Sequence, residues 1–287
     1  MARLFLLLCF AVAPFTAKSQ VFTPTIAGAM GGAGRAAVDG GESAFLNPAS
    51  IAHMREYFVG MHYQRGEHPR EGDFSRYALQ LTDGTSALIP GGASIYRQKI
   101  DLPNGAGSRT DQDIQVGVAG FAIPKLAVGV SGHYFTQSGQ GRDDTQWNGG
   151  VGLIFSPTDD LGVGLVGYDI APVPSDALVD RRLIPTFALG LHYVFSDLLR
   201  VRLDLVRPDI QPTFTDHRIN VMGGLESFFA TTFVFRLGMQ ALETADQMNL
   251  TAGFGYHGPR LSVDYSFQKD IRSAGGVRHL IDLWLPL

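Results

Sequence analysis

The chain has a single cysteine, Cys9, inside an apolar leading run. Disulfides and cysteine metal centres are therefore excluded downstream of it. After residue 19 there is no unbroken apolar stretch approaching the roughly 20 residues of a membrane-spanning helix. Charge is sparse, at 17% of residues. Setting aside Arg3 and Lys18 leaves 21 basic against 27 acidic residues, a formal net charge of −6. Nucleic acid as a partner is excluded by the lack of a basic surface.

The leading run reads as a targeting signal over residues 1–19. Arg3 supplies a positive start, Leu4 to Ala13 an apolar core, and Ala17-Lys18-Ser19 small residues before Gln20.

What the chain does have is glycine, 35 residues of it, and alternation. Downstream of residue 55, about fourteen segments alternate apolar and polar side chains. In the first, Tyr57, Val59, Met61 and Tyr63 alternate with Phe58, Gly60, His62 and Gln64. Arg236 and Asp264 stand between lipid-type residues in the eleventh and thirteenth. A base on a lipid face near mid-bilayer costs about 2–4 kcal/mol, so such charges must point inward. The fold class expected is all-β: a transmembrane antiparallel β-barrel over residues 55–287, with residues 20–54 as a small N-terminal plug. A soluble β-sandwich or barrel is the alternative that composition permits; the export signal and the strand count oppose it.

The connections should alternate in length. Short turns are expected at 83–85, 124–125, 157–160, 196–197, 230–231 and 257–260, and longer loops at about 65–73, 99–111, 138–146, 170–182, 207–217, 241–247 and 269–276. Tight turns on one side and loops on the other are the habit of outer-membrane barrels. Both termini then lie on the short-turn, periplasmic side, and the protein's place is the outer membrane of a Gram-negative-type envelope, among its lipids.

Residues 20–54 are small and Gly-rich instead of alternating. The run Gly31-Gly32-Ala33-Gly34 is followed by Asp39 and by Ala44-Phe45-Leu46-Asn47-Pro48-Ala49. A phosphate-loop reading fails, because no strand precedes these glycines and no lysine with a hydroxyl residue follows them. Small residues instead let backbone pack closely on backbone or on a barrel wall. This segment, placed before the first strand, resembles the FadL/TodX family of outer-membrane hydrocarbon and fatty-acid transporters, and the PorV-like barrels. The resemblance implies a fourteen-stranded barrel with a plug, whose motif here is Gly31, Gly32, Gly34, Asp39, Asn47 and Pro48. A second, narrower resemblance lies at Pro90, Gly91 and Gly92, which match the kinked third strand of the transporters. There the tripeptide implies a lateral opening for an apolar solute; as residues alone it reads equally as a bulge that shapes the barrel.

The lumen should have two walls. Strands four to seven turn Gly117, Ala119, Gly129, Ser131, Gly150, Gly152, Gly162 and Gly164 inward, making room for the plug, a ligand, or both. Strands nine to fourteen turn Arg202, Asp204, Glu226, Arg236, Asp264 and Asp282 inward, as a structural ladder or a substrate path. An enzyme is not expected. Ser131 and His133 share a face, but residues two apart on a strand lie about 6.5–7 Å apart, too far for direct activation. No cofactor or metal is called for. By resemblance, the function is passive, gated passage of hydrophobic small molecules with lateral exit. The alternative is a PorV-like barrel that serves a protein partner in export or surface attachment.

Overall fold

The structure, a computed structural model, describes residues 22–37, 42–69, 72–85, 89–172, 183–196, 198–208, 218–230, 232–272 and 275–287. The leading segment 1–19 and Asp39 lie outside the described residues.

The alternating segments form fourteen antiparallel strands in one closed barrel, in which β1 pairs with β14. They are β1 Tyr57–Glu67, β2 Asp73–Asp83, β3 Gly91–Asp101, β4 Ser108–Ile123, β5 Leu126–Gly139, β6 Arg142–Thr158 and β7 Leu161–Tyr168. The other half comprises β8 Thr186–Ser196, β9 Leu199–Pro208, β10 Asn220–Phe229, β11 Phe233–Leu242, β12 Gln247–His257, β13 Ser262–Asp270 and β14 Val277–Pro286. Closure leaves no sheet edge, so every strand finds partners on both sides. The period of two sends Met61, Leu79, Ile95 and Ile114 outward as one cross-strand row. His62, Gln64, Gln80 and His192 are buried inside.

Two expected connections differ from the sequence reading. The polar stretch 138–146 is not a loop: β5 and β6 continue through it and meet at a two-residue turn, Gln140–Gly141. Both residues have positive φ, 56° and 76°, the geometry of the tight primed turn that matches strand twist. β4, β5 and β6 run 16, 14 and 17 residues, beyond the roughly 9–11 that cross a bilayer. On the long-loop side the β5–β6 hairpin carries polar side chains on both faces over residues 138–145, so alternation fades while pairing continues. Conversely, the turn expected at 83–85 opens a connection over residues 84–90.

Residues 22–37 and 42–54 lie inside the barrel. Helix α1 (Thr25–Ala29) packs on β11 to β14, and the 3-10 helix Pro48–His53 packs on β4 to β6. The inward glycines receive them. A Cβ on Gly238 would stand 2.3 Å from Gly31 N, one on Gly129 2.4 Å from Ala49 N, and one on Gly164 2.3 Å from Arg35 O. In the bare wall expected along strands four to seven, Gly129, Gly162 and Gly164 hold plug backbone and Gly152 meets Asn47 and Pro48, whereas Gly150 meets only the neighbouring wall; the clearance for the plug continues through β8, β10, β11 and β12 at Gly190, Gly224, Gly238 and Gly253.

Gly238→Val should unseat the plug locally and lower stability by about 1–3 kcal/mol, the usual cost of overpacking. Gly120→Val, where an added Cβ meets nothing within 4 Å, should be near neutral in the same unfolding titration.

Candidate functional site

The plug is held by side chains of the wall that reach its backbone. Asp204 on β9 accepts hydrogen bonds from Gly34 N at 2.9 Å, Arg35 N at 3.1 Å and Arg35 Nη1 at 2.9 Å through one oxygen. Asp282 on β14 accepts from Thr25 N at 3.0 Å, and His62 Nδ1 lies 2.8 Å from its other oxygen. Thr251 donates to Ala29 O and accepts from Gly31 N, while Gln268 donates to Gly28 O. Within the plug, both oxygens of Glu42 accept from Ala27 N in the first turn of α1, where a carboxylate also complements the helix dipole.

Asn47 does two jobs. Its amide oxygen caps the 3-10 helix by accepting from Ala49 N at 3.0 Å, and its Nδ2 donates to Arg35 O at 2.7 Å. Pro48 follows at the first helical position, where its missing N–H costs nothing. Gly31 and Gly32 turn the chain with φ of 69° and 87°. Gly34 packs close to Leu46 and Arg202.

Arg35 was not foreseen. Tyr168 on β7 accepts from Arg35 Nε and donates to Leu46 O. Burial works against the Arg35 charge, but Tyr168 and Asp204 more than offset it and raise its pKa above the ordinary guanidinium value. A lone charge in a Gly/Ala-rich run was the available signal, since a buried charge has to be paired.

The six inward charges divide into two groups with different work. Asp204 and Asp282 anchor the plug, and Arg202 faces it, with Nη1 3.9 Å from Glu42. Glu226, Arg236 and Asp264 brace the wall alone. Arg236 donates to Glu226 at 2.6 Å and to Asp264 at 2.6 Å, spanning β12 to reach β13. The bridge passes over Gly255, whose added Cβ would lie 2.3 Å from Asp264 Oδ1. Arg200 and His257 flank it at 3.3 and 3.2 Å.

Toward the long-loop rim, Phe22 and Phe45 of the plug join Ala78, Tyr96, Phe135 and Leu183 of the wall and its connections in an apolar cluster. Phe22 lies 4.5 Å from Phe45 and 5.8 Å from Tyr96 between ring centroids. One residue pair farther out, Gln64, Arg76, Gln98, Asp111 and Gln137 are cross-strand neighbours, all buried, forming a polar hoop. Arg76 donates to Gln98 at 2.5 Å and to Gln64 at 3.2 Å, and its guanidinium stands 5.5 Å from the Phe22 ring. Leu183 comes from the β7–β8 connection and its N donates to Gln146 at 3.0 Å. The other leg of that connection is tied by Ala171 N to Asn148 at 2.8 Å and by Asp169 to His133 at 2.8 Å. Residues 173–182 of this connection lie outside the described residues.

Beside the cluster, the inward side chains of β4, β5 and β6 are only partly buried: Asp113, in one cross-strand row with Tyr96 and Phe135, and Gln115, Ser131, His133 and Asn148. Their partial exposure inside the closed wall marks a hollow on the side away from α1. Pro90 precedes β3 instead of kinking it. Gly91 and Gly92 are paired on both sides, with Asp83 and Thr82 on β2 and with Val118 and Gly117 on β4. Pro90 O still accepts from Ala119 N at 3.0 Å. Beyond that bond, Gly120 to Ile123 have no ladder partner on the β3 side among the described residues.

No protein-family model and no curated protein sequence matches the chain. Solved structures do. The CymD monoaromatic hydrocarbon channel superposes with a TM-score of 0.71 at 15% identity, over 93% of this chain and 98% of that one. The toluene transporter TbuX of Ralstonia pickettii gives 0.70 at 15%, over 92% and 98%. A FadL homologue from Pseudomonas aeruginosa gives 0.67 at 10%, over 91% and 97%. The fold is that of the FadL/TodX-type channels. At these identities the likeness is one of fold.

Asp204→Asn leaves a buried Arg35 charge without its counterion, and such a loss costs about 3–5 kcal/mol. Amide hydrogen exchange should rise across residues 31–37 while β4 to β6 stay protected.

Proposed function

We propose that the chain is an outer-membrane barrel that passes fatty-acid-like or hydrocarbon molecules passively, behind a gate. The observation that carries this reading is the apolar cluster of Phe22, Phe45, Tyr96, Phe135 and Leu183 inside the lumen. Water-filled barrels have a polar interior, so rings gathered on the axis side of the wall suit an apolar solute. The printed names of the fold neighbours, a monoaromatic hydrocarbon channel and a toluene transporter, agree in solute class.

The gate is Leu183, held with the described ends of the β7–β8 connection, 169–172 and 183–185. Leu183 fills the cluster, and both ends are tied to β5 and β6. A solute enters by displacing Leu183, moves along the hollow beside β4 to β6, and leaves sideways near Pro90, Gly91 and Gly92. The overhang of β4 past the start of β3 supports an exit there, at the short-turn rim instead of mid-wall.

Hydrolysis finds no support at Ser131. Both nitrogens of His133 face carboxylates, Asp113 at 3.0 Å and Asp169 at 2.8 Å, so neither is turned to the hydroxyl.

Reconstituted in vesicles, the protein should speed uptake of an apolar fluorescent solute without passing a small sugar. Equal flux of both would sink the reading. Gly91→Val with Gly92→Val should abolish uptake and leave the barrel assembled; unchanged uptake refutes the lateral exit. Gln146→Ala with Asn148→Ala removes two ties worth about 0.5–1.5 kcal/mol each, and should raise the initial uptake rate by about tenfold or more.

A further inference from the structure

Near the long-loop rim, basic side chains gather on one sector of the outer wall. Arg65 on β1, Ser75 on β2 and Lys99 on β3 form a cross-strand row, and His279 on β14 extends it past Arg65. One step toward mid-barrel lie Tyr63, Tyr77 and Arg97, with the two tyrosine rings 5.0 Å apart. The next step brings Met61, Leu79 and Ile95, all exposed. On the other side of the basic row, Glu67 and Asp101 pair with Arg65 at 3.4 Å and with Lys99 at 3.1 Å.

Along these strands the outer face therefore passes from apolar to aromatic to basic to acidic. That is the depth order of acyl chain, interface, phosphate and water. Arg65 and Lys99 are two strand spacings apart, about 10 Å, and the small Ser75 floors the gap between them. Arg97 sits diagonally below it. Long basic side chains on both sides can close on a tetrahedral anion with charge-assisted hydrogen bonds. The ion pairs to Glu67 and Asp101 join largely exposed side chains and are weak, so they do not hold the bases back. At the short-turn end of the same strands, the outward row is Tyr57, Asp83 and Gly91, with no base.

We propose that Arg65, Arg97 and Lys99, over Ser75, dock the phosphate of an outer-leaflet lipid whose acyl chains lie along Tyr77, Leu79 and Ile95. The proposal rests on the membrane placement of the preceding section and adds a ligand site on the outside of the wall.

The test is native mass spectrometry of the detergent-purified protein titrated with bisphosphorylated lipid A or with its dephosphorylated counterpart. The phosphorylated lipid should be retained about tenfold better. The triple variant Arg65→Gln, Arg97→Gln, Lys99→Gln should lose that preference, and Lys125→Gln on the opposite rim should keep it. Equal retention of the two lipids, or a preference that survives the triple variant, overturns the site. Mobility on unheated gels checks folding; if the triple variant is unfolded, Arg97→Gln and Lys99→Gln singly carry the same comparison. Solute uptake is read in parallel. Phosphate selectivity without uptake removes the transport reading and leaves this site, whereas uptake without selectivity removes the site alone.

Discussion

Backbone has to approach backbone inside this barrel, and the rest of the interior follows from that requirement. A plug segment of small residues can be satisfied only by a wall that brings hydrogen-bonding groups to it without side-chain bulk between. Gly129, Gly152, Gly164, Gly190, Gly224 and Gly238 provide the clearance, and Asp204, Asp282, Thr251 and Gln268 provide the partners. Neither set works alone. Glycines without the polar anchors would leave plug N–H and C=O groups buried and unsatisfied, each at a cost of about 1–3 kcal/mol. Anchors on a wall with side chains between would not reach.

The same requirement explains why the inward charges are not one ladder. A carboxylate can accept from several backbone N–H groups at once, so Asp204 and Asp282 stand where the plug turns or begins. Arg236 is instead enclosed by Glu226 and Asp264, and the missing side chain at Gly255 lets it reach across a strand. Buried ion pairs add little net stability. Their effect here is register: Glu226 directly opposes Arg236 on the neighbouring strand, so a one-residue slip of either strand would turn its charge toward lipid and leave the other buried without its partner.

Fold was legible in the sequence because alternation and turn residues are local signals. Strand boundaries failed where locality failed. Residues 138–146 looked like a loop because a hairpin that leaves the membrane is polar on both faces, although its ladder runs unbroken to Gln140–Gly141. The inward charges were legible from their apolar neighbours, but their partners were not. Arg35, Tyr168 and Asp204 are separated by most of the chain and meet only through the fold. Pro90-Gly91-Gly92 reads as a mid-strand kink in composition, yet Pro90 precedes β3 and Gly91 already pairs on both sides, so the tripeptide marks the start of the strand.

The hollow itself poses the last question, since its lining is polar while the cluster beside it is aromatic. Polar groups that already satisfy one another present little demand to a passing solute. His133 engages both Asp113 and Asp169, and Asn148 holds Ala171 N. What an apolar molecule would meet is the outside of a closed network. A tightly apolar hollow would instead retain the molecule, because each buried methylene adds about 0.8 kcal/mol of attraction. Passage needs a site that attracts and a path that does not, and the rings with the self-satisfied wall beside them meet both conditions.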